Sequence, residues 1–250
     1  MAFQTVFKRY ELKYMLTLEQ KEMILDVMSQ YMLPDKYGRS TIRNIYFDDD
    51  SYRLIRRSIE RPAYKEKLRV RSYDLASSDS TVFVELKKKY QKVVYKRRLA
   101  MSERDAMRWI AREEVPVAES QISREIDYFI DFYGNLTPKV FLSYEREAFF
   151  DKDDGDFRIT FDENILARTT DLSLCSPPYG TQILECGKVL MELKCAGAIP
   201  LWMVELLSRE RIYKTSFSKY GTAYSTLIFP EIYIPNSVRH KEIITNGQTI

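Results

Sequence analysis

Histidine is nearly missing from this chain. The one instance in 250 residues, His240, falls in a polar tail, which excludes Ser-His-Asp triads, Cys-His pairs and His-ligated zinc. Cysteine is scarce as well. Cys175, Cys186 and Cys195 show neither metal-ligand spacing nor an even disulfide framework, so reduced thiols in a cytoplasmic protein are expected. No apolar leader opens the chain, and no run approaches the ~20 apolar residues that span a bilayer. Excess charge of one sign is also lacking: 39 Lys and Arg stand against 36 Asp and Glu, a net charge of +3. Overall charge therefore does not argue for a nucleic-acid partner. Any catalysis must run on carboxylates, Lys, Arg and Tyr, with or without a divalent metal held by oxygen.

What is present is charge segregated on strands. The 18 Tyr and 13 Phe suit a β-rich structure, and Tyr64–Tyr73 shows the pattern most strongly. Read with a period of two, it puts Lys65, Lys67, Arg69 and Arg71 on one face and Glu66, Leu68 and Val70 on the other. Residues 3–15 predict another strand, with Arg9, Glu11 and Lys13 sharing a face. Further strands are expected at 39–47, 81–89, 91–99, 138–150, 157–162 and 188–195. Several repeat the pattern: Glu85 with Lys87, Tyr144 with Arg146, Arg158 with Asp162, Glu192 with Lys194. Val189, Met191, Leu193 and Cys195 form an apolar stripe on the reverse of the last.

Between the strands, Thr17 and Gln20 form a capping-box pattern opening a helix that ends before Pro34. Helices are also expected at 52–59, 102–113, 119–133, 200–207 and 218–227, with 164–182 irregular. A polar tail at 231–250 follows the domain at 1–230, introduced by Pro230 and Pro235. The Arg53, Arg56 and Arg57 cluster reads most simply as a solvated helix face.

Two explanations fit the charged faces. An ordinary antiparallel sheet shows them to water and hides its apolar face against helices. Alternatively, a sheet of about eight strands closes into a barrel whose lining holds a polyanion. Arg forks bind phosphate oxygens bidentately and Lys adds point charge. A minority of glutamates in such a lining makes sense chiefly as ligands of a hard divalent cation such as Mg²⁺ or Mn²⁺.

Seven short motifs occur in order. They are Arg9-Tyr-Glu-Leu-Lys-Tyr, Lys67-Leu-Arg-Val-Arg, Val84-Glu-Leu-Lys, Tyr144-Glu-Arg, Phe157-Arg-Ile-Thr-Phe-Asp, Met191-Glu-Leu-Lys and Ser218-Lys-Tyr. Together, over roughly residues 5–225, they resemble the VTC domain, the polyphosphate polymerase domain of the triphosphate tunnel metalloenzyme (CYTH-like) superfamily. The resemblance implies an α+β fold: an eight-stranded antiparallel tunnel, a closed barrel with helices packed outside. It implies a metal-dependent site that passes the γ-phosphate of ATP to a growing polyphosphate chain and releases ADP.

Carried onto matching positions, the resemblance assigns Lys13, Lys67, Arg69, Arg71, Lys87, Lys96, Arg146, Arg158 and Lys219 to phosphate binding. Tyr144 and Ser218 add hydrogen bonds. Glu192 becomes the principal metal ligand, with Glu11 and Glu85 in support, the ion being Mn²⁺ or Mg²⁺. Arg69, Arg71, Lys87, Arg146, Arg158 and Glu192 form the catalytic set, acting by positioning and charge stabilisation.

The sequence departs from two family patterns. The regulatory SPX domain and membrane helices of eukaryotic members are not found in these 250 residues, so no translocating role or membrane insertion is carried over. The superfamily's other branch, of triphosphatases and adenylate cyclases, carries an N-terminal Glu-x-Glu-x-Lys signature. Arg9 stands here in place of the first Glu, which weakens a two-metal site and favours a longer polyanion. A hydrolase of tripolyphosphate or nucleoside triphosphates and a non-catalytic polyphosphate-binding module remain the alternatives.

Overall fold

A computed structural model describes residues 7–91, 93–114, 119–153 and 156–233. Positions 3–6 of the first expected strand, Pro116, and the tail from 234 onward with Pro235 and His240 lie outside the described residues. The strands are β1 (Phe7–Thr17), β2 (Met32–Pro34), β3 (Ser40–Asp48), β4 (Tyr64–Tyr73), β5 (Thr81–Tyr90) and β6 (Val93–Ser102). They continue with β7 (Thr137–Asp151), β8 (Arg158–Arg168), β9 (Thr181–Gln182), β10 (Lys188–Cys195) and β11 (Lys214–Thr215). The helices are α1 (Leu18–Met28), α2 (Arg53–Ile59), α3 (Glu103–Ile110), α4 (Gln121–Tyr133), α5 (Leu201–Arg209), α6 (Lys219–Ala223) and α7 (Phe229–Tyr233). A π-helical turn, Tyr224–Ile228, joins the last two.

All described strands belong to one antiparallel sheet of eleven rather than the eight expected. The difference lies in β2, β9 and β11, two or three residues each, which short stretches of pattern do not announce. The long strands pair in the order β7-β3-β4-β5-β6-β1-β10-β8, and β7 also pairs with β8 over Phe141 to Phe150. Hydrogen bonding can thus be followed from β7 through these strands and back to β7.

Local chemistry places the ends. Thr17 Oγ1 accepts from the Gln20 backbone N–H at 3.1 Å while Gln20 Oε1 accepts from Thr17 N–H at 3.0 Å, the reciprocal cap that turns β1 into α1. Ser102 and Ser120 cap α3 and α4 through the N–H groups of Asp105 and Ser123. The reverse faces of β4 and β5 bury Leu68, Val70, Val82, Val84 and Leu86 against Trp109 of α3 and Ile126 and Phe129 of α4. Those of β1, β8 and β10 bury Leu16, Ile159, Met191 and Leu193 against Ile24 of α1 and Met203 and Leu206 of α5. Apolar burial of this kind is the main favourable term in folding.

Three expectations need correction. Residues 164–182 are not irregular throughout: β8 runs on to Arg168, and β9 returns to pair with Leu166 and Ala167. Gly180 makes that return possible. At φ +144° a Cβ there would stand 2.4 Å from the Ala167 carbonyl oxygen. The last helix does not stop at 227: the π-helical turn carries it into α7, which runs through Pro230 to Tyr233. Finally, not every helix lies outside. Tyr220 and Ala223 of α6 pack on Ile42, Leu142, Tyr144 and Leu190, whose alternation places them on the charged face. No described helix is long and apolar enough to cross a membrane.

Candidate anion site

Cross-strand register turns the charged faces into clusters. β4, β5 and β6 set Arg69 opposite Glu85 and Glu85 opposite Arg98, with Lys67, Lys87 and Lys96 aligned one step along. Glu85 is fully buried. Its Oε2 accepts from Arg69 Nε at 2.8 Å and lies 2.7 Å from Arg69 Nη2. Its Oε1 stands 2.5 Å from Lys96 Nζ and 3.4 Å from Arg98 Nε. Burial alone would raise this carboxyl, but Arg71, Lys96, Arg69 and Arg98 hold it well below the usual carboxylate range. Burial pushes Lys96 down to about 7 even with Glu85 beside it. Arg69 Nη1 donates to Tyr46 Oη at 2.8 Å, and Arg71 donates to Asn44 Oδ1 at 3.0 Å and Tyr144 Oη at 3.2 Å.

A second cluster joins β7, β8, β10, β1 and α6. Asp162, also fully buried, accepts from Arg146 Nε and Nη2 at 2.6 Å each and from Lys219 Nζ at 2.5 Å. Lys219 reaches it because Ser218 caps α6, its Oγ accepting from Gly221 N–H. Glu192 sits opposite Lys13 and Thr160 in the sheet. Its cations stand further off: Lys13 and Lys194 at 3.3 Å, Lys219 at 3.5 Å and Arg146 at 3.7 Å. Burial works against ionisation of Glu192, and Lys219, Lys13, Lys194 and Arg146 overcome it. Lys194, buried and close to Arg146, is lowered to about 8.

Glu11 and Lys87 form the third pair, at 2.7 and 2.9 Å. Burial opposes ionisation of Glu11, yet Lys87 leads in bringing it down to about 2. Around them Lys65 and Lys67 form no ion pair among the described residues, and Lys13 has only Glu192 at 3.3 Å. Lys67 Nζ donates to Ser218 Oγ at 3.2 Å, Lys13 Nζ to the Phe217 carbonyl at 2.9 Å and Lys65 Nζ to the Ser58 carbonyl at 3.1 Å. Burial, then Lys13, Lys65 and Lys87, push Lys67 well below the usual lysine range. An anion entering this face would relieve that repulsion.

Of the residues singled out from the sequence, Glu11, Lys13, Lys67, Arg69, Arg71, Glu85, Lys87, Lys96, Tyr144, Arg146, Glu192, Ser218 and Lys219 come together on this face. Arg158 does not join them. It is exposed at the start of β8, opposite Lys194, and forms no ion pair among the described residues. Sequence reasoning left out Asp162, Lys194, Arg98, Tyr46 and Asn44 as site residues. The first three were visible as charges in phase with chosen neighbours; Tyr46 and Asn44 carried no signal beyond their place on a strand.

Among the described residues no group of three or more His, Cys, Asp or Glu side chains is placed to hold an ion. Glu192 is the carboxylate whose oxygens are least committed, every cation standing at 3.3 Å or beyond. It fits a hard cation that takes its remaining ligands from phosphate oxygens and water.

The antiparallel sheet with its packed helices is that of the triphosphate tunnel (CYTH-like) fold. A putative adenylate cyclase from Bacillus halodurans superposes with a TM-score of 0.55 at 14% identity, over 92% of this chain and 100% of that one. A putative adenylyl cyclase from Hippeastrum, described as having a dominant triphosphatase activity, superposes at 0.52 and 16% identity, over 89% and 97% of the two chains. Within that fold, the VTC domain family model matches residues 8–228, and the chain belongs to the VTC domain family. No curated protein matches it.

Proposed function

We propose that the paired strands enclose a tunnel in which residues 1–230, acting as one domain, bind the triphosphate of ATP and extend a polyphosphate chain, releasing ADP. The observation that carries this reading is the convergence of Arg69, Arg71, Lys13, Arg146 and Lys219 on one face beside a loosely held Glu192. Arg forks suit phosphoryl oxygens, and the lysines supply charge that Glu11, Glu85, Asp162 and Glu192 leave uncompensated. Glu192 would hold Mn²⁺ or Mg²⁺, which when bound neutralises charge on the transferring group. Arg146 and Lys219, fixed by Asp162, orient the phosphoryl group; Arg69 and Arg71 hold the remaining phosphates; Tyr144, between Arg71 and Lys219, keeps the two sets in register. No side chain is needed as a covalent nucleophile. ATP in the cytoplasm is the donor in this reading, and neither nucleic acid nor membrane is a partner.

One observation favours a second reading. The Hippeastrum relative is described as a triphosphatase, and a hydrolase would use the same groups with water as acceptor. Incubation with ATP and Mn²⁺, followed by phosphorus NMR, separates the two. Growing internal-phosphate resonances with ADP support the polymerase; orthophosphate and ADP alone support the hydrolase. Neither, with saturable polyphosphate binding, leaves a binding module.

The low lysines predict a pH dependence. Bound phosphate favours the ammonium forms of Lys96 (about 7) and Lys194 (about 8), so the complex keeps protons that the free protein sheds above those values. Tripolyphosphate affinity should therefore weaken as pH rises through 7 to 9, by up to about tenfold per pH unit for each lysine. Calorimetric titration of wild type and Lys96→Met checks this: the variant should bind more weakly at pH 6.5 and lose the first part of the slope.

A further inference from the structure

We infer that Glu85 is a positioning residue of the anion site, holding Arg69, Lys96 and Arg98 in one fixed arrangement, and that it does not ligate the divalent ion. The ligand named here rests on the triphosphate reading above; the role of Glu85 rests on geometry. Glu85 stands at the centre of the β4-β5-β6 register, with no exposed surface. Its Oε2 accepts from Arg69 Nε at 2.8 Å, with Arg69 Nη2 at 2.7 Å and Arg71 Nε at 3.8 Å, while Oε1 makes no hydrogen bond among the described residues but is closed in by the charges of Lys96 at 2.5 Å and Arg98 at 3.4 Å. A divalent ion would have to displace those groups and sit among their positive charges. Glu192 offers the contrast, since no cation comes closer than 3.3 Å.

The surrounding contacts show what Glu85 holds in place. Arg69 is pinned on its far side by Tyr46 Oη at 2.8 Å. Arg98 lies 3.5 Å from the Phe83 ring centroid and donates to Tyr73 Oη at 3.0 Å. Each guanidinium is thus fixed from two directions, with the carboxylate behind, and keeps further N–H groups for an incoming oxygen. Without the carboxylate these cations repel one another and spread. A bound phosphate would restore what was lost, because its oxygens answer the same charges.

The test uses Glu85→Gln and Glu192→Gln, melted with and without tripolyphosphate, and titrated with Mn²⁺ alone by electron paramagnetic resonance. Glu85→Gln should melt several degrees below wild type when free, recover most of that loss in saturating tripolyphosphate, and bind Mn²⁺ within about threefold of wild type. Glu192→Gln should lose Mn²⁺ affinity by about tenfold or more. If Glu85→Gln does not fold, Glu85→Asp keeps the charge but draws it back by one methylene. It should leave Mn²⁺ binding unchanged while weakening tripolyphosphate about tenfold. The proposal is overturned if either Glu85 variant loses Mn²⁺ as far as Glu192→Gln does. It is also overturned if tripolyphosphate stabilises the wild type but restores nothing to Glu85→Gln. A wild type that does not respond to tripolyphosphate overturns the triphosphate reading instead; melting loss with intact Mn²⁺ binding then decides the role of Glu85.

Discussion

Glu192→Gln should reduce turnover of ATP by about 10²–10³-fold, the range seen when one preorganised electrostatic group is removed from an active site. Glutamine keeps the size of the side chain and one carbonyl oxygen, so packing at this buried position should survive. What disappears is the charge that Lys219, Lys13, Lys194 and Arg146 hold ionised, together with the anionic oxygen offered to Mn²⁺ or Mg²⁺. The same change removes a negative charge from a site meant for polyanions. Metal-free tripolyphosphate should therefore bind at least as tightly as to wild type. Steady-state rates with Mn²⁺ and calorimetric titration without it measure the two effects separately. A kcat within a few-fold of wild type would remove Glu192 from the metal site. Weakened metal-free binding would instead make it a support for the lysines.

The charged face was legible because alternation within a strand needs no partner to be read. Lys67, Arg69 and Arg71 against Leu68 and Val70, or Glu192 against Met191 and Leu193, declare two faces from sequence alone. The Thr17 and Gln20 cap was equally local. What could not be read is which charges meet. Asp162 contacts Arg146 across the β7–β8 register and Lys219 from a helix 57 positions away. A bulge in that register, between Ser143 and Glu145, shifts the pairing by an amount no periodicity reports. For the same reason Arg158, in phase with Asp162, was grouped with it although it stands exposed at the strand's start. Packing of α6 on the charged face was hidden as well. Its short apolar pattern says that Tyr220 and Ala223 are buried, without saying against what. The loop that returns at Gly180 depends on a single close approach, invisible until the Ala167 carbonyl is in place.

The largest stability effect is expected at Asp162, not at Glu192. Asp162→Ala would leave Arg146, 14% exposed, and Lys219, 8% exposed, facing a carboxylate that is gone. Removing one partner from a buried ion pair costs about 3–5 kcal/mol, because the remaining charge stays desolvated. For a domain of this size that is a fall in melting temperature of roughly 6–20 °C. Glu192 cannot fully replace the lost partner, since it lies 3.5 Å from Lys219 and 3.7 Å from Arg146 and already answers Lys13 and Lys194. Arg158→Ala provides the reference: an exposed cation with no ion pair among the described residues should change stability by no more than about 0.5 kcal/mol. Urea melts of the two variants at neutral pH make the comparison. If Asp162→Ala unfolds within about 1 kcal/mol of wild type, the contacts at 2.5 and 2.6 Å do not hold this site together. If it falls by the larger amount and orthophosphate or tripolyphosphate restores part of the loss, the cations that Asp162 holds are those an incoming phosphoryl group would take over.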